Sequence, residues 1–215
     1  MRKTIFLSIV ALTVALSLVV SFFPFVFFVP VLVVVTLQKW RLSLVCGLLF
    51  GVISFVYSFV RVTLVSVYFQ ANPLLPIVPR VLAVAFAHLS YQGVYAITQK
   101  RLPKTARALS AVVCAVVGSL TNTVFVMLGL VLFAKGFAYY GALGDAIVVF
   151  VGGSALIEVI VNIVLVSPIS YALYQNPRVG IVLGQRAKAL GTQDIEPATT
   201  AQPIQQETIE KEPAN

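Results

Sequence analysis

Apolar runs divided by short charged connections organise this chain, extending from Thr4 to about Leu37, Leu42 to Phe69, Val81 to Thr98, Ala108 to Ala134 and Ala146 to Leu173. A helix rising roughly 1.5 Å per residue needs about 20 residues to cross the hydrocarbon of a bilayer. The first run is too long for one such crossing and just long enough for two, and Pro24 and Pro30 offer the break. Arg2 and Lys3 before the apolar stretch Ile5 to Phe23 resemble the start of a secretory signal peptide. No small-x-small cleavage site leads into a polar region, and the chain stays apolar past Pro24 to Leu37, so the segment is expected to stay as a helix.

Charge parity selects the number of crossings, because Lys and Arg in short loops remain cytoplasmic. Six spans place Arg2, Lys3, Lys39, Arg41, Lys100, Arg101, Lys104, Arg107, Arg178, Arg186 and Lys188 on one side. The other side receives only Arg80 and Lys135, with Arg61 left within a span; five spans scatter the basic loops over both faces. The expected fold is therefore an all-α integral membrane protein, a bundle of six transmembrane helices with both termini cytoplasmic. Residues 1–188 form its membrane domain. Residues 189–215, rich in Gln, Thr, Glu and Pro, cannot bury enough apolar area to fold alone and are expected to be a disordered polar, acidic cytoplasmic tail.

Composition removes the soluble alternatives. Sixty per cent of the 215 residues are hydrophobic and 10% charged, with a mean hydropathy of +1.00, values that exclude a soluble catalytic domain. A net charge of +8 would suggest nucleic acid in a soluble protein. Here the cations sit between apolar runs and report orientation, so no nucleic-acid partner is expected. Cys46 and Cys114 lie inside apolar runs, where a thiol behaves as a small hydrophobe.

Function must then come from polar groups that a bilayer otherwise rejects. On the fourth predicted span, Arg80, His88, Tyr91 and Gln92 lie along one stripe; on the fifth, Ser119, Asn122 and Thr123 share a face; on the sixth, Ser154, Glu158 and Asn162 form an i, i+4, i+8 row. Three stripes on consecutive helices imply one shared interior. Asn122 lies about 22 Å along its helix from Arg107, in the outer half and near the level of Arg80. The connection from Gln70 through Asn72 to Pro79 carries three prolines and is expected to be a stiff irregular segment outside the membrane, giving a pocket open to the exterior.

The chemistry of that pocket follows from its side chains. Arg80 offers a planar fork that matches a carboxylate or phosphate and keeps its charge. Asn72, Asn122 and Asn162 each carry donor and acceptor, suited to hydroxyl and amide groups. A small, hydroxylated, anionic ligand fits both. The competing reading has Arg80 snorkelling to headgroups and the asparagines joining helices. Glu158 could pair with Arg61 or His88, be held protonated or carry a coupling proton, and pairing is the favoured reading. His88 stands alone, so a satisfied interior imidazole is expected over a metal ligand or proton carrier. Ala11 with Ala15, and Gly47 with Gly51, form one-turn small-residue pairs that allow close helix approach.

The Ala11-x-x-x-Ala15 pair on the first helix, the Asn72-Pro73 to Pro79-Arg80 segment and Gly118-Ser119-Leu120-Thr121-Asn122-Thr123 in the fifth helix together carry a resemblance. Over roughly residues 4 to 173 the chain is similar to the substrate-binding S components of energy-coupling factor transporters, most of all to the pantothenate type. The resemblance implies a vitamin-binding subunit of a bacterial cytoplasmic membrane that binds no cofactor itself. Such a subunit captures its vitamin outside, then docks through Ala11 and Ala15 on a transmembrane coupling protein driven by two cytoplasmic ATPases, toppling in the bilayer to release the ligand inside. Residues near Phe23 to Phe25 and Gln70 to Pro79 would gate the pocket. The chain has no Gly-x-x-x-x-Gly-Lys-Ser/Thr motif, which agrees with ATP hydrolysis by other chains. Substrate-binding residues on this reading are Arg80, Asn72, Asn122, Thr123, Ser119, Gln70, His88, Tyr91, Asn162 and Glu158.

Other readings stay open at this stage. Folate and pyridine or pyrimidine vitamins are alternative ligands, since fold alone does not fix substrate. An autonomous proton-coupled secondary transporter would use Glu158 or His88 as its relay. An intramembrane hydrolase would need Ser119 or Ser154 as nucleophile and His88 as base, but neither serine lies in a characteristic nucleophile motif.

Overall fold

The computed structural model describes residues 3–20, 26–61, 64–102, 105–133 and 155–176. Among them every regular element is an α-helix. In chain order these are α1 (Lys3–Val20), α2 (Val29–Leu37), α3 (Trp40–Val60), α4 (Leu64–Ala71), α5 (Leu74–Thr98), α6 (Ala106–Phe133) and α7 (Ala155–Gln175). Four of them, α3, α5, α6 and α7, are long and apolar enough to cross a membrane. The expected tail at 189–215, Ser154, and the stretch Phe23 to Phe25 lie outside the described residues.

The distribution of side chains is that of a multi-pass membrane protein. Large apolar residues face outward on every long helix, among them Val56 and Phe59 on α3, Leu89 on α5, Val124 on α6 and Ile160 and Val164 on α7. Arg80, His88, Ser110, Ser119, Asn122 and Asn162 are buried instead. Water would favour the reverse arrangement; lipid tails favour this one, because intramembrane polar groups find partners only inside the bundle.

The first apolar run divides unequally. α1 provides an apolar helix of 17 residues from Thr4 to Val20, whereas α2 has only nine residues and all nine are buried. Nine residues rise about 14 Å, half the hydrocarbon thickness, so α2 is a core helix of less than spanning length. Pro30 sits in its first turn, where a missing N–H costs nothing. Leu32 and Val35 have no exposed surface, and with Phe28, Phe50, Val84 and Ala87 they form the main apolar cluster. α1, α3, α5, α6 and α7 all pack around α2.

The second run also departs from expectation, since Leu42 to Phe69 is not continuous. α3 ends at Val60 and Arg61 is extended, with φ −114° and ψ 100°. Twenty-one residues already rise about 32 Å, a full crossing, and Arg61 is exposed where the helix stops. α4 then packs back against α3 and α5.

α5 lies between α3 and α6. Gly47 and Gly51 make the first contact possible, as the one-turn spacing predicts. A Cβ at Gly51 would lie 2.8 Å from the Ile77 Cα, and one at Gly47 would lie 2.9 Å from a Val84 methyl. Only backbone without a side chain allows α3 and α5 this close.

Candidate functional site

The expected irregular segment from Gln70 to Pro79 is largely helical. α4 runs through Ala71 and α5 begins at Leu74, leaving only Asn72 and Pro73 between them. Proline is tolerated here because the first amides of a helix have no intrahelical acceptor. Pro76 uses that freedom, and Pro79 removes a single bond one turn later. The two polar residues of the connection serve this local fold. The Asn72 Oδ1 accepts the Leu74 N–H at 3.0 Å, capping α5, and the Gln70 Nε2 donates to the Ser58 carbonyl at 2.7 Å, satisfying an otherwise orphan acceptor in the last turn of α3.

The consequence for Arg80 is that it occupies the second turn of α5, where the expectation had it starting the helix. Its side chain is 6% exposed. The guanidinium carbon lies 5.1 Å from the centroid of the Phe69 ring on α4, and a desolvated cation over an aromatic face gains about 2 kcal/mol. The Nε and Nη1 donors find no hydrogen-bond acceptor. Glu158, half-buried in the first turn of α7, acts on Arg80 through charge. Among the described residues it is the sole acid, and Arg80 is the charge that acts on it.

Two asparagines complete this end of the bundle. Asn162 has no exposed surface, and its Nδ2 donates to the Ser119 Oγ at 2.8 Å, joining α7 to α6. Its Oδ1 has no partner. Asn122, one turn beyond Ser119 on the same face of α6, is 9% exposed and likewise has an unpartnered Oδ1. Thr123, beside it, is half-buried. Glu158 lies one turn before Asn162, so the predicted stripes of α6 and α7 do share an interior with Arg80.

Chemically the arrangement is incomplete in a specific way. It holds two unpartnered donor nitrogens on a permanent cation and two free carbonyl acceptors, all shielded from water. A buried polar group left unpaired costs about 1 to 3 kcal/mol, more when charged. A ligand with an anionic group and one or more O–H or N–H donors would satisfy all four.

His88 and Tyr91 lie elsewhere. They share the α5 stripe with Arg80, but eight and eleven residues along a helix amount to about 12 and 16 Å. The His88 Nδ1 is 3.2 Å from the Ser43 Oγ, its Nε2 is 2.6 Å from the Gln92 Nε2, and its ring meets Trp40 edge-on at 5.3 Å. Both nitrogens are engaged, as expected for a satisfied interior imidazole. Tyr91 stacks on Tyr95 with ring centroids 6.1 Å apart. Phe69, which covers the guanidinium, was not singled out from the sequence: nothing in the spacing of α4 announces that it folds back over α5.

Ala11 and Ala15 are exposed on α1. Among the described residues no group of three or more metal-ligating side chains occurs. A search against protein-family models, curated proteins and solved structures finds no match for this chain.

Proposed function

We propose that this chain is the membrane-embedded substrate-binding subunit of a vitamin importer of the energy-coupling factor type, with pantothenate as its ligand. One observation carries the reading: a buried guanidinium with unpartnered donors stands in the same interior as two unpartnered asparagine carbonyls. Pantothenate offers a carboxylate to Arg80, and two hydroxyls and an amide N–H to Asn122 and Asn162. In this reading α2, though shorter than a full crossing, returns the chain through the interior of the bundle, so that six passes leave both termini in the cytoplasm of a bacterium and the Arg80 end faces outward. Ala11 and Ala15, exposed on α1, form the face that docks on a transmembrane coupling protein, and two ATPase subunits of the complex hydrolyse ATP.

Calorimetry on the purified subunit tests the ligand assignment. Pantothenate binds wild type and is lost or weakened more than tenfold in Arg80→Ala; equal affinity in the two proteins removes the role assigned to Arg80. Leucine at both Ala11 and Ala15 leaves binding intact and abolishes ATP-driven uptake. A matching loss of binding would reduce the pair to ordinary packing residues.

A second reading draws on Glu158, whose charge acts on Arg80 in the same interior. An autonomous proton-coupled carrier would use this carboxylate as its relay. Uptake by this chain alone in vesicles, driven by a proton gradient and lost in Glu158→Gln, decides for that class.

A further inference from the structure

An open groove of about 570 Å3 runs between α1, α2 and α7, away from Arg80. Leu12, Thr13 and Leu16 form one wall, Val33 and Gln38 the floor, and Ile169 the other wall. Its surface is almost wholly apolar. The groove has a defined direction. Ile9 of α1 packs beside Val34 and Leu42, and Tyr174 of α7 donates its hydroxyl hydrogen to the Thr36 carbonyl at 3.3 Å. The start of α1 and the ends of α2 and α7 therefore meet at the Gln38 end.

That end is cationic. Lys39 follows the groove residue Gln38 and is exposed, as is Arg41, and Trp40 between them is 38% exposed. Trp is the residue most at home at the level of lipid headgroups. The sole described acid, Glu158, stands in the first turn of α7, at the far end of that helix. An apolar channel that begins at a membrane–water boundary beside two cations that no described acid opposes matches a molecule with a negative head and a hydrocarbon tail.

We infer that the α1–α2–α7 groove is a binding site for an anionic phospholipid, its acyl chain against Leu16, Val33 and Ile169 and its phosphate on Lys39 and Arg41. The acyl chain gains van der Waals contact along a surface that the other described helices leave open. The phosphate is attracted to each cation near the membrane surface, and two cations favour an anionic over a zwitterionic head by more than tenfold. The site uses none of the residues assigned to the Arg80 interior and stands whether or not that interior binds a vitamin.

The test titrates the full chain in mild detergent with phosphatidylglycerol and with phosphatidylcholine of the same acyl chains. Bound lipid is read by native mass spectrometry and stabilisation by thermal unfolding. Wild type retains phosphatidylglycerol at more than tenfold lower concentration than phosphatidylcholine, and its unfolding temperature rises with the anionic lipid. The double variant Lys39→Ala/Arg41→Ala, altered only at exposed positions, loses that preference. Ile169→Trp, which fills the groove from a position already 39% exposed, loses both lipids. Removing a different exposed basic pair, Lys100→Ala/Arg101→Ala, leaves the preference intact. Equal retention of the two lipids by wild type overturns the inference. So does a preference that survives Ile169→Trp, one that falls equally in the Lys100/Arg101 control, or a protein partner that protects the groove in place of lipid.

Discussion

Two arginines near opposite ends of the same bundle meet opposite circumstances. Arg107, in the first turn of α6, lies 4.3 Å over the Tyr174 ring, and the groups around it form a closed chain. Tyr174 donates to the Thr36 carbonyl at 3.3 Å, and the Thr36 and Ser170 hydroxyls are 2.8 Å apart. Those contacts tie α2, α6 and α7 together and pair the hydroxyls of Tyr174, Thr36 and Ser170. Arg80 is buried with two donors unpartnered, and the asparagines sharing its interior hold unpartnered carbonyls. A satisfied network stabilises a fold; an unsatisfied one costs stability, and in the proposed function the ligand supplies the missing partners. The difference separates a helix clasp from the interior proposed to bind a ligand.

Substitutions at the two ends should move different measurements. The largest effect is expected on ligand affinity in Arg80→Ala, where losing a buried charge-assisted contact costs about 2 to 5 kcal/mol; calorimetry with pantothenate measures it. The charges of Arg80 and Glu158 should add little net stability to the empty protein. The double change Arg80→Met/Glu158→Leu, which removes the ion together with the described carboxylate it acts on, is expected to hold or raise that stability, by up to about 4 kcal/mol, because well-packed apolar residues replace an incompletely paired set of charges. Thermal unfolding without ligand decides this, and a marked fall would show that Arg80 belongs to a clasp of its own.

Thr36→Val reverses the pattern. It leaves the buried Ser170 hydroxyl without its partner and should lower stability by about 1 to 3 kcal/mol, with pantothenate affinity unchanged. The smallest effect is expected at Gln70→Ala, where one hydrogen bond to the Ser58 carbonyl is lost, about 0.5 to 1.5 kcal/mol of stability. Affinity there should stay near the wild-type value. A large loss of binding would return Gln70 to the site, from which its bond to α3 now separates it.

Much of the site was legible because membranes make polar residues conspicuous. Ser119 and Asn162 were named from helical spacing alone, and they bond at 2.8 Å. Arg80 was recognised as an interior cation, and the Gly47/Gly51 pair as a close helix contact. Where the reading failed, a one-dimensional pattern had been asked for a three-dimensional answer. A stripe gives azimuth and not depth, so His88 and Tyr91 share the face of Arg80 but not its neighbourhood. Three prolines look like an irregular loop until they fall within the first turns of α5, where an amide is dispensable or nearly so. The run from Leu42 to Phe69 is uncharged except at Arg61, and that one charge did not show that the backbone turns extended there.

The sequence by itself determined that the chain is helical and made for a bilayer, because hydropathy and helix length are local properties that no packing can undo. It also determined which polar groups must find partners. Tertiary structure alone decided which of them do. Whether a buried donor meets an acceptor depends on angstrom-scale approach between helices distant in sequence, and it is the fold-back of α4 over Arg80 and the burial of all of α2 that set those distances.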